Sequence, residues 1–486
     1  MRLGLALSAL LFAWAPGALA QANYESALIG GRSSLMGGTG VAAGTDSAAP
    51  LQNPATTTGI EGTSFVFSTF FLQLTNRSVD ADRNVVAEAD RGAAALGQMQ
   101  FRVLPNSTCL FFDIRKVPGQ VKGHHKGSIC LAEPETNSFE LQTTVVGESA
   151  AGRSGFQQRF ISQIYSKKTY SVGWAVALSK QVSFGVTPML EEVGFRDMEG
   201  IASVLTDDAS LADAIGSPGQ SLSNVITRRA SAFALSAIAG VKWRLSDAFS
   251  FGASIHSPSW HITGSYAGTR SSEAASSPTE QYAQERGSAR FTYPMRLALG
   301  IAGRIKGVRF ELDGYYHGGR GDFAEVQVNR TEVTVQNGTI TAATTVPARY
   351  NEAVRPVANF GLGAEIPLVP TWSLVTGILT DFGGLNARQN GTLVDQNLFR
   401  SRLDAVHASL GVAWTPRAGS VLLGVRGFYG QGEMAITDTR NIPPARLASP
   451  QSQWGLSLVI SGQLTLELLA QADPTGLVKK AAGTGD

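Results

Sequence analysis

Apolar and polar residues alternate with a period of two in segment after segment of this chain. That is the pattern of strands whose successive side chains point to opposite faces. The clearest case is near the C-terminus: Trp454, Leu456, Leu458, Ile460, Leu464 and Leu466 share one face, interrupted by Gly462, and Ser457, Ser461, Gln463, Thr465 and Glu467 share the other. The run is longer than an ordinary globular strand. Val406, Ala408, Leu410, Val412 and Trp414 oppose Ala405, His407, Ser409, Gly411 and Ala413 in the same way, and Phe291, Tyr293, Met295, Leu297, Leu299 and Ile301 oppose Thr292, Arg296, Ala298, Gly300 and Arg304. One face is apolar with aromatics near its ends; the other is small, polar or charged. Lipid outside and a lumen inside produce that division.

About fourteen such segments follow one another, near 63–75, 95–104, 107–116, 169–179, 181–193, 231–245, 248–265, 287–304, 307–318, 355–366, 371–382, 404–415, 420–431 and 453–467. The connections alternate in length. Pro105-Asn106, Lys180, Ser246-Asp247, Lys306, Pro367 to Pro370 and Pro416 to Gly419 read as tight turns, with a long loop between each of these and the next. Short turns on one side, long loops on the other and an even strand count describe an all-β, antiparallel transmembrane barrel of the bacterial outer membrane, its short turns periplasmic. No fixed short repeat suggests a propeller or solenoid.

Composition agrees: 54 glycines, 16% charged and 43% hydrophobic residues suit many short strands whose faces meet different environments. Residues 1–20 read as a cleaved signal peptide: Arg2, the apolar stretch Leu3 to Trp14, and Ala18-Leu19-Ala20 as the cleavage site. Beyond it no stretch approaches the roughly 20 continuous apolar residues of a spanning helix, which excludes a helical membrane protein. A net charge of +2, or +1 without Arg2, and no basic tract give no reason to expect nucleic acid. Cys109 and Cys130 travel through an oxidising compartment that permits a disulfide. The sequence alone does not decide whether their sulfurs meet.

Two regions read as lying outside the wall. Residues 21–62 are rich in Gly, Ala, Ser and Thr, too small to build a core; a disordered lead-in and a plug inside the barrel both fit. In the loop from Arg196 to Arg229, Ile201, Val204, Leu205, Leu211, Ile215, Leu222, Val225 and Ile226 recur at spacings of three and four, which predicts one or two amphipathic surface helices.

The first region carries Gly31-Arg32-Ser33-Ser34-Leu35-Met36-Gly37-Gly38-Thr39-Gly40-Val41-Ala42, then Asp46-Ser47-Ala48, then Asn53-Pro54-Ala55. This segment resembles that of the FadL family of outer-membrane transporters for hydrophobic compounds. The likeness continues more weakly in Ser257-Pro258 and from Pro294 to Ile301. It implies a fourteen-stranded monomeric barrel with an N-terminal hatch in its lumen, containing Gly31, Arg32, Met36, Gly37, Gly38, Asn53 and Pro54. It also implies ligand capture by extracellular loops and a kinked strand through which ligand leaves sideways. The glycines and the extended bias of the residue before Pro54 predict a compact, non-helical plug. The sequence departs from the pattern where residues 468–486, containing Asp473-Pro474 and Lys479-Lys480, follow the last strand as a periplasmic tail. The cysteines have no counterpart in the pattern.

No catalytic constellation stands out, and His124-His125 lacks the spacing and the cysteine partners of a zinc site, so neither enzyme nor metal is expected. The charges on lumen faces say more. Arg309, Glu311 and Asp313 alternate with Val308, Phe310 and Leu312, and Arg296 and Arg304 share the inward face of the preceding strand. These charges can pair with one another and pin the plug. Alternatively, Arg296 or Arg309 anchors the carboxylate of an amphipathic ligand through its planar guanidinium. With a barrel at 63–467, the chain reads as a passive, cofactor-free transporter of long-chain fatty acids or other hydrophobic small molecules, surrounded by outer-membrane lipid. A general porin and a barrel that binds or shuttles proteins are the alternatives.

Overall fold

The computed structural model describes residues 23, 28–79, 104–114, 124–148, 154–206, 220–274, 279–385, 398–399, 401–416, 419–438 and 445–466. Its strands are β1 (Ser64–Val79), β2 (Leu104–Ile114), β3 (His124–Glu148), β4 (Ser154–Ala177), β5 (Val182–Thr206), β6 (Gln220–Arg244), β7 (Phe249–His256), β8 (Trp260–Ala274) and β9 (Thr279–Phe291). The second half adds β10 (Arg296–Ile305), β11 (Val308–His317), β12 (Arg320–Gln336), β13 (Thr339–Val354), β14 (Val357–Val369), β15 (Trp372–Asp381), β16 (Ser401–Trp414), β17 (Gly419–Asp438) and β18 (Ala445–Thr465). All pairings are antiparallel, and β1 closes the sheet against β18 from Ser64↔Thr465 to Val79↔Gln451.

Four wall strands are each made of two segments in line: β7 with β8, β10 with β9, β11 with β12 and β14 with β13. The 18 segments less those four joins leave a barrel of fourteen strands. The breaks fall side by side at Ser257-Pro258-Ser259, Thr292 to Met295, Gly318-Gly319 and Arg355-Pro356. A proline has no N–H to give a ladder, so a row of them creases the wall. Across the crease the inward parity reverses in three strands. Glu311, Asp313, Tyr315 and His317 point inward below it, whereas Ala324, Val326 and Val328 do so above. Phe291 and Tyr293 consequently lie buried in the lumen, not on the lipid face with Met295, Leu297 and Leu299 as strict alternation predicts.

Pro105-Asn106 is no turn but part of β2, and the segment read as 95–104 lies almost wholly outside the described residues. The missing wall strand is β3, whose Pro134 sits at a register shift against β4. Arg196 to Thr206 and Gln220 to Arg229 extend β5 and β6 and form no helix; Leu211 and Ile215 lie outside the described residues. Much of what read as long loop is strand continued beyond the membrane, and β12 and β13 turn at Asn337-Gly338, both at positive φ. The signal segment and the C-terminal tail are outside the described residues.

The outward face carries an exposed apolar band bounded by aromatics. Trp243, Phe249, Trp372 and Trp414 lie at the short-turn end; Trp260, Tyr316, Phe360, Tyr429 and Trp454 lie at the other. On β17 the rims are eight residues apart, from Val421, the partner of Trp414, to Tyr429, or about 20 Å at ~3.3 Å per residue and a tilt of ~40°, close to the height of a hydrocarbon band. Val425 sits midway between the rims on β17. Val425→Arg should lower the unfolding free energy in vesicles by about 2–4 kcal/mol, measured by urea titration of tryptophan fluorescence.

Candidate functional site

The N-terminal segment is enclosed by this wall. It contains α1 (Gly31–Leu35), α2 (Ala49–Gln52) and a 3-10 turn (Pro54–Gly59), so the non-helical plug expected from sequence does have short helical turns. It packs against β3, β4, β5 and β6 on one side and β15, β16, β17 and β18 on the other. The wall is stripped of side chains to receive it: a Cβ on Gly361, Gly363 or Gly377 would strike the backbone of Met36 or Gly37, and one on Gly252 would strike Val41. Gly37 and Gly38 hold φ of 68° and 77°, a left-handed turn that side-chain-bearing residues resist.

Inward charges of β11 hold the segment by its backbone. Asp313 Oδ2 accepts the N–H groups of Gly40 and Val41 at 2.8 and 2.9 Å, and Glu311 Oε1 accepts those of Ala42 and Ala43 at 2.7 and 3.0 Å. Tyr315 donates to the Gly38 carbonyl at 2.7 Å and Arg309 to that of Ala43 at 2.6 Å. Arg32 pairs with Glu365, which Arg309 also approaches at 3.7 Å. Asn53 Nδ2 donates to Val41 and, across to the wall, to Val241, while its Oδ1 accepts the Ala55 N–H at the head of the 3-10 turn that begins with Pro54. Met36 is buried among Leu35, Val375, Ala413, Leu422 and Val459. The residues of the sequence motif and Arg309 thus converge on one lock between segment and wall.

Above this lock, at the crease, lies a cavity of about 70 Å³. Ile29 and Leu51 of the segment line it, with Pro134, Glu135, Lys167, Glu191, His256, Tyr293, Arg296 and His317. Lys167 Nζ is 3.2 Å from Glu191 and 3.6 Å from Glu135, and stands 3.6 Å from the centre of the Tyr293 ring. His256 Nε2 comes within 3.8 Å of Glu191. Arg296 lies over the ring of Tyr315, 4.6 Å from its centre. Buried charges at this density require compensation, and each here has an opposite charge or a ring face nearby.

Higher still the lumen turns aromatic. Tyr165, Phe195, Phe291, Tyr293 and Phe323 form one buried cluster with Tyr266, Tyr350 and Phe399. Phe399 meets Tyr165 and Phe195 edge-on, with ring centres 5.4 and 5.5 Å apart. Glu352 Oε1 accepts the Leu398 and Phe399 N–H groups at 2.6 and 3.2 Å, and Gln163 donates to the Leu398 carbonyl at 3.0 Å. Apart from Arg296, the chain's alternation gave no sign of the polar cavity. Glu135 and Lys167 fall in stretches read as loop, and Tyr293 was assigned to the wrong face. The prolines at 134, 258 and 294 were the available signal.

Cys109 and Cys130 are direct cross-strand partners of β2 and β3 and are disulfide-bonded, with Cα atoms 4.2 Å apart. The bridge faces inward among Ala49, Ile60, Val66 and Phe111, and Cys109 Sγ lies 3.5 Å from the Ser47 carbonyl. His124 approaches Asp113, and His125 stacks on Trp174; among the described residues no group of side chains could hold a metal.

Removing one carboxylate should loosen the lock without opening the wall. Asp313→Ala leaves two buried N–H groups without their acceptor, a cost of about 1–3 kcal/mol. The Gly40 and Val41 amides should then exchange hydrogen at least about tenfold faster while those of β11 keep their protection, measured by hydrogen exchange.

No known family profile matches this sequence, and no curated protein is detectably similar. Solved structures do match. A Pseudomonas aeruginosa FadL homologue aligns over 92% of this chain and 100% of its own at 11% identity and a TM-score of 0.54. The Pseudomonas putida toluene transporter TodX aligns over 90% and 98% at 15% identity and 0.54. The monoaromatic hydrocarbon channel CymD aligns over 90% and 97% at 12% identity and 0.51. At these identities the likeness establishes architecture, and by that measure the chain has the fold of the FadL-type outer-membrane barrels.

Proposed function

We propose that this protein carries hydrophobic small molecules, long-chain fatty acids among them, passively across the outer membrane. The observation that carries the reading is the vertical order of the lumen: an aromatic cluster, then a small charged cavity, then an N-terminal segment locked to the wall. The strand extensions above the membrane deliver ligand to this cluster, whose rings part to admit it, and there apolar carbon leaves water. Each methylene transferred contributes about 0.8 kcal/mol, so a twelve-carbon chain gains about 10 kcal/mol before its ordering entropy is counted. A carboxylate at its end would descend to the crease and pair with Arg296, which faces the cavity, whereas Arg309 serves the lock below. The segment from Gly31 to Ala55 acts as a hatch: its hold on the wall is made of individually exchangeable hydrogen bonds, so it can rearrange and release ligand down a gradient. The structural neighbours, a toluene transporter and a monoaromatic hydrocarbon channel, point to the same ligand class.

The test is uptake into proteoliposomes. Saturable uptake of a long-chain fatty acid, unaffected by collapsing the proton gradient and with little passage of small sugars, is expected. Arg296→Ala should weaken fatty-acid uptake about tenfold and spare an uncharged aromatic such as toluene. Sugars crossing as readily as fatty acids would sink the proposal.

A further inference from the structure

The outer surface carries a feature that transport does not use. Arg196 on β5 pairs in register with Arg229 on β6, Arg229 with Ala267 on β8, and Ala267 with Arg286 on β9. All three arginines are exposed and point away from the lumen, in a row spanning about 15 Å at ~4.8 Å between strands. Among the described residues none of them has an acidic partner. Other arginines of the upper barrel do: Arg349 reaches Glu325 at 2.9 Å, Arg290 reaches Asp322 at 3.4 Å and Arg330 reaches Glu285 at 2.7 Å. Like charges directly opposite on neighbouring strands destabilise a sheet, and Arg196 faces Arg229 in this way.

The row borders a depression. The pairing of β6 with β8 shifts register between Phe233 and Ala234, and just beyond the shift, from Arg229 to Ser231, the wall lines an open groove of about 640 Å³. Small residues pave it, among them Gly194, Ser231, Ser265 and Ala267. Its height is set by the ladder. Leu235 and Trp260 are paired at the upper aromatic rim, and Arg229 lies six residues further along β6, about 15 Å above that rim at ~3.3 Å per residue and a tilt of ~40°. Ligands in solution meet the top of the barrel. A side wall at this height instead meets the sugars and phosphoryl groups of the outer leaflet's glycolipid.

We propose that the groove with Arg196, Arg229 and Arg286 is a docking site for one phosphorylated outer-leaflet glycolipid. Its sugars lie on the small-residue floor, and its phosphoryl oxygens take paired hydrogen bonds from the guanidinium groups, which relieves the Arg196–Arg229 repulsion. The inference rests on the barrel's place in the membrane and is independent of what it transports.

The test measures binding of lipid A bearing inner-core sugars to the detergent-solubilised full-length protein, by native mass spectrometry and titration. The triple variant Arg196→Gln, Arg229→Gln, Arg286→Gln should bind at least about tenfold more weakly while keeping the heat-modifiable migration of a folded barrel. The same glycolipid stripped of its phosphates should bind the unaltered protein about as weakly, an arm that needs no variant to fold. Equal binding by the triple variant, or by the dephosphorylated glycolipid, would overturn the proposal. So would equal binding of phosphatidylglycerol vesicles, or displacement by inorganic phosphate at matching concentration.

Discussion

No water reaches the hydrocarbon level of a membrane, so a wall of strands there must satisfy every backbone N–H and C=O within its own ladder. Closure of β1 on β18 meets that requirement by leaving no edge. Much else follows from it. Each strand must present apolar carbon on one side and may carry polar groups only on the other, so the lumen becomes the one place where charge, glycine backbone and a folded segment can be accommodated together.

The interior is organised around the same demand. The N-terminal segment has too few apolar side chains to be held by burial alone, so its backbone donors are taken by carboxylates of β11 and its close approach is bought by glycines in the wall. The lumen charges around the segment and the cavity are tolerated through specific partners: Asp313 and Glu311 take peptide N–H groups, Lys167 has two carboxylates and Arg32 has Glu365. These groups fix one placement of the segment, which nonspecific packing of small residues would not do.

Where the ladder is relaxed, the barrel gains its chemistry. Pro258, Pro294 and Pro356 lie in the breaks of neighbouring strands, and the breaks reverse which face points inward. Above the crease this turns Phe291 and Tyr293 into the lumen; below it the inward face carries Arg296 and His317. One line of interrupted strands thus divides a packed aromatic cluster from a charged cavity.

Much of this was legible in the chain. Period-two alternation over β16 and β18 gave the outward face correctly, because side-chain direction along an unbroken strand is a local property, and the short turns at Lys180, Ser246-Asp247 and Lys306 marked one end of the barrel. Arg309, Glu311 and Asp313 were assigned inward on the same ground. Strand length was not legible, because above the membrane both faces are hydrated and the alternation that marks a spanning strand fades; the extensions of β5 and β6 therefore read as helical loop and β3 was missed. Nor could the sequence tell which inward charge holds the hatch-like segment and which faces the cavity. Arg296 and Arg309 look alike in the pattern, and only closure of the barrel sets Arg309 against the Ala43 carbonyl and Arg296 beside Tyr315. Alternation determined the faces. Register and the crease, which depend on strands far apart in sequence, decided what meets inside.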